Sequence, residues 1–179
     1  TILAMGGASW SHLGSDGLWA DILKKNNVNV TNFQPSNMGF KIKWSRYMKP
    51  FFGTPIKSVR ITSGKFSTIG EFVISKKGIE GSGIYSASKF MRDGDSLMID
   101  LLPDTEIETL NKRQELLSLK ISRSTLNRKV LRLNKGKTAF FNEFSQHIST
   151  QNIVYAAKNL LVPHEGPHPI NEAISTAGG

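Results

Sequence analysis

Apolar positions change period along this chain. Met38, Phe40, Ile42 and Trp44 alternate with Gly39, Lys41 and Lys43. That period of two predicts a half-exposed strand with its lysines on one face. Residues 57–62 and 71–75 read as two further strands, and the turn signal Ser63-Gly64 between them predicts an antiparallel hairpin. Gly78, Gly81 and Gly83 permit tight backbone ahead of a short helix over 84–91, and residues 97–102 read as another strand, ended by Pro103. Short strands separated by glycine turns predict a small antiparallel sheet or barrel.

After Pro103 the period becomes helical. Thr105 and Glu108 have capping-box spacing, and Ile107, Leu110, Gln114 and Leu117 share one stripe. A second helix is expected from about Ser124 to Gly136, with Leu126, Val130 and Leu133 inward and Arg132 and Lys135 near its negative end. Two more are expected over 139–147 and 151–161. The prolines at 163, 167 and 169 mark a return to extended chain. The opening residues read as strand, glycine turn and helix: the apolar run 2–5, the break at Gly6-Gly7-Ala8-Ser9, then Asp16 capping a helix that carries Leu18, Trp19, Ile22 and Leu23. Both ends read as interior structure, so the chain is expected to be a fragment.

Composition fits folded domains: 179 residues, 39% hydrophobic, with no Cys. The zero excludes disulfides, thiolate metal sites and a cysteine nucleophile within these residues. No apolar run approaches the ~18 residues of a membrane span, so a cytoplasmic protein without membrane attachment is the default expectation. The net charge of +9 is uneven. Residues 41–65 carry seven Lys/Arg and no acid, and residues 105–162 sum to +6. Within the second segment Lys120, Arg123, Arg128, Lys129, Arg132, Lys135 and Lys137 form an acid-free stretch over 120–137 that suits phosphates or an acidic partner. It lacks interleaved aromatics and any reader motif, so a solvated helix face is the favoured reading and nucleic acid the alternative.

Catalytic motifs are absent from the sequence. There is no G-x-S-x-G elbow, no P-loop lysine and no G-x-G-x-x-G. His164 and His168 are separated by Gly166 and Pro167, which prevents the helix that would align two metal ligands, so no metal is expected. His12 and His147 read as surface or structural. Glycine next to an apolar run at Gly6 and Gly7, with the Ser9 hydroxyl nearby, lets main-chain N–H groups approach a phosphate or ring. Tyr85, Glu80 and His168 are acid/base candidates by residue type only.

Six pieces in order extend this reading: Met5-Gly6-Gly7-Ala8-Ser9-Trp10 with Gly14-Ser15-Asp16-Gly17; Pro35-Ser36-Asn37-Met38-Gly39-Phe40; Gly70-Glu71-Phe72-Val73; Gly78-Ile79-Glu80-Gly81 with Ile84-Tyr85; Asp100-Leu101-Leu102-Pro103; and Gly166-Pro167 through Glu172-Ala173-Ile174-Ser175-Thr176-Ala177-Gly178-Gly179. As a set they resemble the bacterial NAD(FAD)-utilising dehydrogenase-like flavoproteins, the aminoacetone oxidase family of FAD-binding enzymes. The resemblance implies an α+β chain: a small antiparallel β-barrel with an inserted helical subdomain, flanked by edges of a Rossmann-like FAD domain. The implied parts are 1–30 (FAD-domain edge), 31–104 (barrel), 105–162 (helical subdomain) and 163–179 (return). It implies an FAD-dependent oxidoreductase as parent, acting on a small-molecule substrate, with NAD(P)H as a possible donor. Gly6, Gly7, Ala8, Ser9, Thr176, Ala177, Gly178 and Gly179 would lie beside FAD. The loop with Gly78, Glu80, Gly81 and Tyr85 would face flavin or substrate. The family's glycine fingerprint and its carboxy-terminal flavin loop fall outside these residues, so the fragment alone is expected to bind FAD weakly and to be inactive.

Overall fold

A computed structural model describes residues 2–117 and 121–179; Lys120, named above, lies outside the described residues. The chain is α+β, built on a curled six-stranded antiparallel sheet. Its strands are β2 (Phe40–Lys41), β3 (Pro55–Ser63), β4 (Phe66–Ser75), β5 (Gly78–Glu80), β6 (Leu97–Asp100) and β7 (Leu160–Val162), in the spatial order β2-β5-β4-β3-β6-β7. The expected hairpin is β3–β4, in register from Ser63 opposite Phe66 to Pro55 opposite Val73. A bulge between Ile56 and Val59 puts Ser58 at φ 51°. The alternation around β2 holds from Phe40 onward: Met38, Phe40 and Ile42 are buried and Lys41 and Lys43 exposed, but Gly39 is buried against Ile79 and His168.

The two edges of the sheet are linked by the chain that follows β7. Glu165 N donates to Lys41 O at 2.8 Å, Lys41 N to Gly166 O at 2.9 Å and His168 N to Gly39 O at 2.8 Å. The return segment therefore bridges β7 to β2, and the curl is completed by main-chain bonds that leave no open edge there. Pro163 precedes this crossing and Pro167 lies within it between Gly166 and His168, at a position whose missing N–H the crossing does not use.

Helix α2 (Ser82–Arg92) lies across β3, β4 and β5, and the helices α3 (Ile107–Glu115), α4 (Arg123–Lys129), α5 (Lys135–Ser145) and α6 (Ile153–Lys158) follow β6. One buried cluster joins them to the sheet: Phe72, Ile56 and Ile61 from strands share it with Leu110, Leu126, Val130, Phe140 and Phe141. Phe140 is the hinge of this packing, 5.0 Å from the Phe72 ring and 5.1 Å from Phe144. Lys158 adds a polar tie; its Nζ lies 2.8 Å from Asp100 Oδ2 and donates to Leu102 O and Thr105 O.

Several local expectations are corrected. Residues 2–5 form no strand, and Ile2 is 94% exposed. A strand needs a partner for its main-chain groups, and none of the described residues supplies one. Residues 78–80 are strand β5, not a loop. The Thr105–Glu108 capping box is not formed: Glu106 is the N-cap of α3 and its side chain makes no capping bond. The helix expected over 124–136 is two. Ser122 caps α4 by accepting from Thr125 N, Arg132 at φ 53° breaks the path, and Asn134 caps α5 by accepting from Lys137 N. Lys135 and Gly136 thus open a helix rather than end one. Helix α6 stops at Lys158, so Leu160, Leu161 and Val162 belong to the sheet instead of a helix. None of the helices among the described residues is long and apolar enough to cross a membrane.

Candidate functional site

The two ends of the chain meet at one edge. Strand β1 (Gln34–Ser36) pairs antiparallel with β8 (Ser175–Ala177), Pro35 opposite Thr176. Thr176 is the centre of the contact: its Oγ1 accepts from Ala8 N at 3.0 Å and lies 2.6 Å from Ser9 Oγ. A Cβ on Gly7 would stand 2.6 Å from the same Oγ1, so only glycine lets the two ends approach this closely. Gly6 O accepts from Trp19 Nε1 at 3.1 Å, and Gly179 N donates to Thr31 O at 2.9 Å. Helix α1 (Trp19–Lys25) backs this edge, and Asp16 Oδ1 accepts from Leu18 N just before it. All eight glycine-edge residues, Gly6, Gly7, Ala8, Ser9, Thr176, Ala177, Gly178 and Gly179, thus fall in one neighbourhood. Before and within α1, Ile2, Leu3, Leu13, Leu18 and Ile22 are exposed apolar side chains.

Of the second group of candidates, Gly78 and His168 both pack against the β2 segment at the crossing of the return segment. His168 is 95% buried by accessible surface, since 5% of it is exposed, and its Nε2 has no hydrogen-bond partner. Its ring lies where a Cβ on Gly39 would sit, about 3.1 Å from that position. Burial pushes the imidazole below its ordinary value, while the charges of Glu172 and Glu80 oppose this. Glu80 also bears on Tyr85: burial first, then the Glu80 charge, raise the phenol. Glu80 therefore reaches both Tyr85 and His168 electrostatically. Gly78 is buried under β2, and a Cβ on it would come 1.9 Å from Phe40 O; strand packing by itself demands glycine there. His164 turns elsewhere, its ring edge-on to Phe40 at 4.8 Å. No group of three His, Asp or Glu side chains suited to a metal occurs among the described residues.

The basic stretch divides. Arg123 points inward, donating to Ile148 O at 2.9 Å and to Ser145 O at 2.7 Å, with its guanidinium 5.4 Å from the Phe141 ring centre. Lys137 Nζ donates to Ser58 O and Leu101 O, meeting the carbonyl that the β3 bulge turns out. Among the described residues of that stretch, Arg128, Lys129, Arg132 and Lys135 are the exposed cations. Sequence reasoning missed the inward roles of Arg123 and Lys137, and of Arg92, whose Nη1 donates to Pro35 O at 2.9 Å and ties α2 to β1. Charge runs carry no record of which member meets a buried carbonyl.

No curated protein matches the chain. A family model does: its description is HI0933-like protein barrel and H2TH domain, and it matches residues 34–175, from the first residue of β1 to the first of β8. Barrel and helices are the two parts the fold contains, and the family is tied to FAD-dependent oxidoreductases. The chain belongs to the HI0933-like protein barrel and H2TH domain family.

Proposed function

We propose that this chain is the barrel-and-helix portion of a cytoplasmic FAD-dependent oxidoreductase. The edge made by Gly6, Gly7, Ala8 and Ser9 with Thr176, Ala177, Gly178 and Gly179 would lie beside the dinucleotide. The observation that supports this most directly is the union of the two chain ends through Thr176, 168 residues from Ala8. An inserted domain must enter and leave its host at one place. The residues fit the group: small side chains, the half-buried Thr176 hydroxyl and exposed main chain at Gly6, Gly178 and Gly179 suit the approach of a pyrophosphate or polyol, and the exposed apolar side chains of Ile2, Leu3, Leu18 and Ile22 suit cover by the remainder of a flavin domain. The flavin, when bound, supplies hydride-transfer chemistry, and the protein supplies position and electrostatics.

In this reading the parts are 1–30, 31–104, 105–162 and 163–179, the substrate is a small molecule and NAD(P)H is the candidate donor. Gly78, Glu80, Gly81 and Tyr85 would lie toward flavin or substrate, with the Tyr85 phenol raised above its ordinary value by burial and then by Glu80.

The test uses a longer family protein that contains this segment. Thr176→Val and Ser9→Ala together should lower the flavin bound per chain, read from the flavin absorbance band, with circular dichroism unchanged. Full occupancy and an unshifted flavin spectrum in the double variant would overturn the placement. The 179-residue chain by itself should purify colourless; a yellow chain would refute its weak binding.

A further inference from the structure

A cavity of about 670 Å³ lies between the 3-10 helix Arg46–Phe51 and helices α4 and α5, in the size range of small-molecule pockets. It is separate from the chain-end edge and does not depend on the flavin reading. Tyr47, Met48 and Phe51 give it an aromatic and apolar wall, Arg128 and Lys135 give it positive charge, and Asn127 lines it with an amide.

Asn127 is 2% exposed, and its Oδ1 has no hydrogen-bond partner. Its orientation is fixed by its neighbours. Arg123 has donors only, so the Asn142 atom facing Arg123 Nε at 3.4 Å is the oxygen. That same oxygen accepts from Asn127 Nδ2 at 3.0 Å. Asn127 therefore turns its carbonyl oxygen away from Asn142, and a buried acceptor without a donor is rare enough to need an explanation. Glu143 also lines the cavity, but its two carboxylate oxygens accept from Ser45 N and Ser45 Oγ, each at 2.7 Å. Two exposed cations against one engaged carboxylate leave the mouth positive.

We propose that this cavity binds a mononucleotide. The flat heterocycle lies against Tyr47 and Phe51, its phosphate sits between Arg128 and Lys135, and Asn127 Oδ1, closed off in the free chain, is uncovered by a small shift of the cavity wall to accept from an N–H on the heterocycle's edge. Each alternative leaves a built feature unused: a hydrocarbon would ignore Asn127 and the cations, and inorganic phosphate would ignore Asn127 and the aromatic wall.

The isotope-labelled chain titrated with adenosine 5′-monophosphate tests this by nuclear magnetic resonance, with adenosine and inorganic phosphate as separate arms. The nucleotide should shift the side-chain amide signals of Asn127 and Asn142 saturably, binding about tenfold or more tighter than adenosine. Phosphate alone should leave Asn127 unmoved. The variant R128E/K135E, altered only at exposed positions, should keep the fold and weaken nucleotide binding about tenfold or more. The proposal fails if millimolar nucleotide leaves Asn127 unshifted, if phosphate matches the nucleotide, if the double variant binds equally well, or if the shifts fall only on residues 6–9 and 176–179. That last pattern would support the flavin edge instead.

Discussion

The Ala8 amide donates to Thr176 Oγ1 at 3.0 Å across 168 residues of chain, and the same hydroxyl meets Ser9 Oγ. One threonine side chain thus clasps the two ends into a single edge. Thr176→Val keeps the shape of the side chain but leaves the Ala8 amide unmet, a cost of about 1–3 kcal/mol. Hydrogen exchange should accelerate about tenfold at Ala8 while the sheet amides of Ile61 and Phe72 stay protected. Acceleration spread evenly through the sheet would show that this edge does not open by itself.

Gly78 sits so close to β2 that a methyl group has no place, 1.9 Å from Phe40 O, whereas a Cβ on Gly94 meets nothing within 4 Å. Gly78→Ala should cost at least about 3 kcal/mol by prising β2 from β5, and Gly94→Ala about 1–2 kcal/mol from its positive φ alone. Urea melts of the two variants check the difference. Equal losses would mean that backbone strain, not contact with Phe40, sets the requirement.

Phe140 is fully buried between the helices and Phe72 of the sheet. Phe140→Ala should destabilise the chain by about 3–5 kcal/mol. Because strands and helices share one apolar cluster, fluorescence from Trp44, which packs near Phe140, and far-ultraviolet circular dichroism should report a single coincident transition. Two separated transitions would show that the helices melt apart from the barrel.

His168 is buried, and its folded-state value lies below the ordinary 6.5. The unfolded chain therefore binds the proton more readily, and stability rises with pH through this range. The contribution is fully present above about 6.5 and is lost as pH falls from there toward the lower folded value. Burial lowers His164 in the same direction. Melting temperature should drop between pH 7 and pH 5, and His168→Gln should flatten part of that slope. An unchanged slope would place the acid sensitivity elsewhere, with His164.

Much of the fold was legible because period is a local property. Phe40 and Ile42 alternate with the exposed Lys41 and Lys43 whatever the partner strand, and Ser63-Gly64 turns β3 back on β4 by its own backbone preferences. Helix boundaries were less legible. The chain from Arg123 to Gly136 has one continuous apolar stripe, yet Arg132 at φ 53° and the Asn134 cap divide it, and apolar spacing does not register a cap in its middle.

By itself, then, the sequence determined the hairpin, the helical stretch after Pro103, the α+β class and the glycine pieces at both ends, all of which follow from relations between near neighbours. Tertiary structure alone decided three things. Residues 165–168 close the sheet onto Gly39 and Lys41, Arg123 and Lys137 turn their charges onto main-chain carbonyls, and Thr176 joins Ala8 and Ser9. Each depends on main-chain and side-chain groups far apart in the chain finding each other's unmet donors and acceptors, and neither composition nor periodicity encodes that pairing.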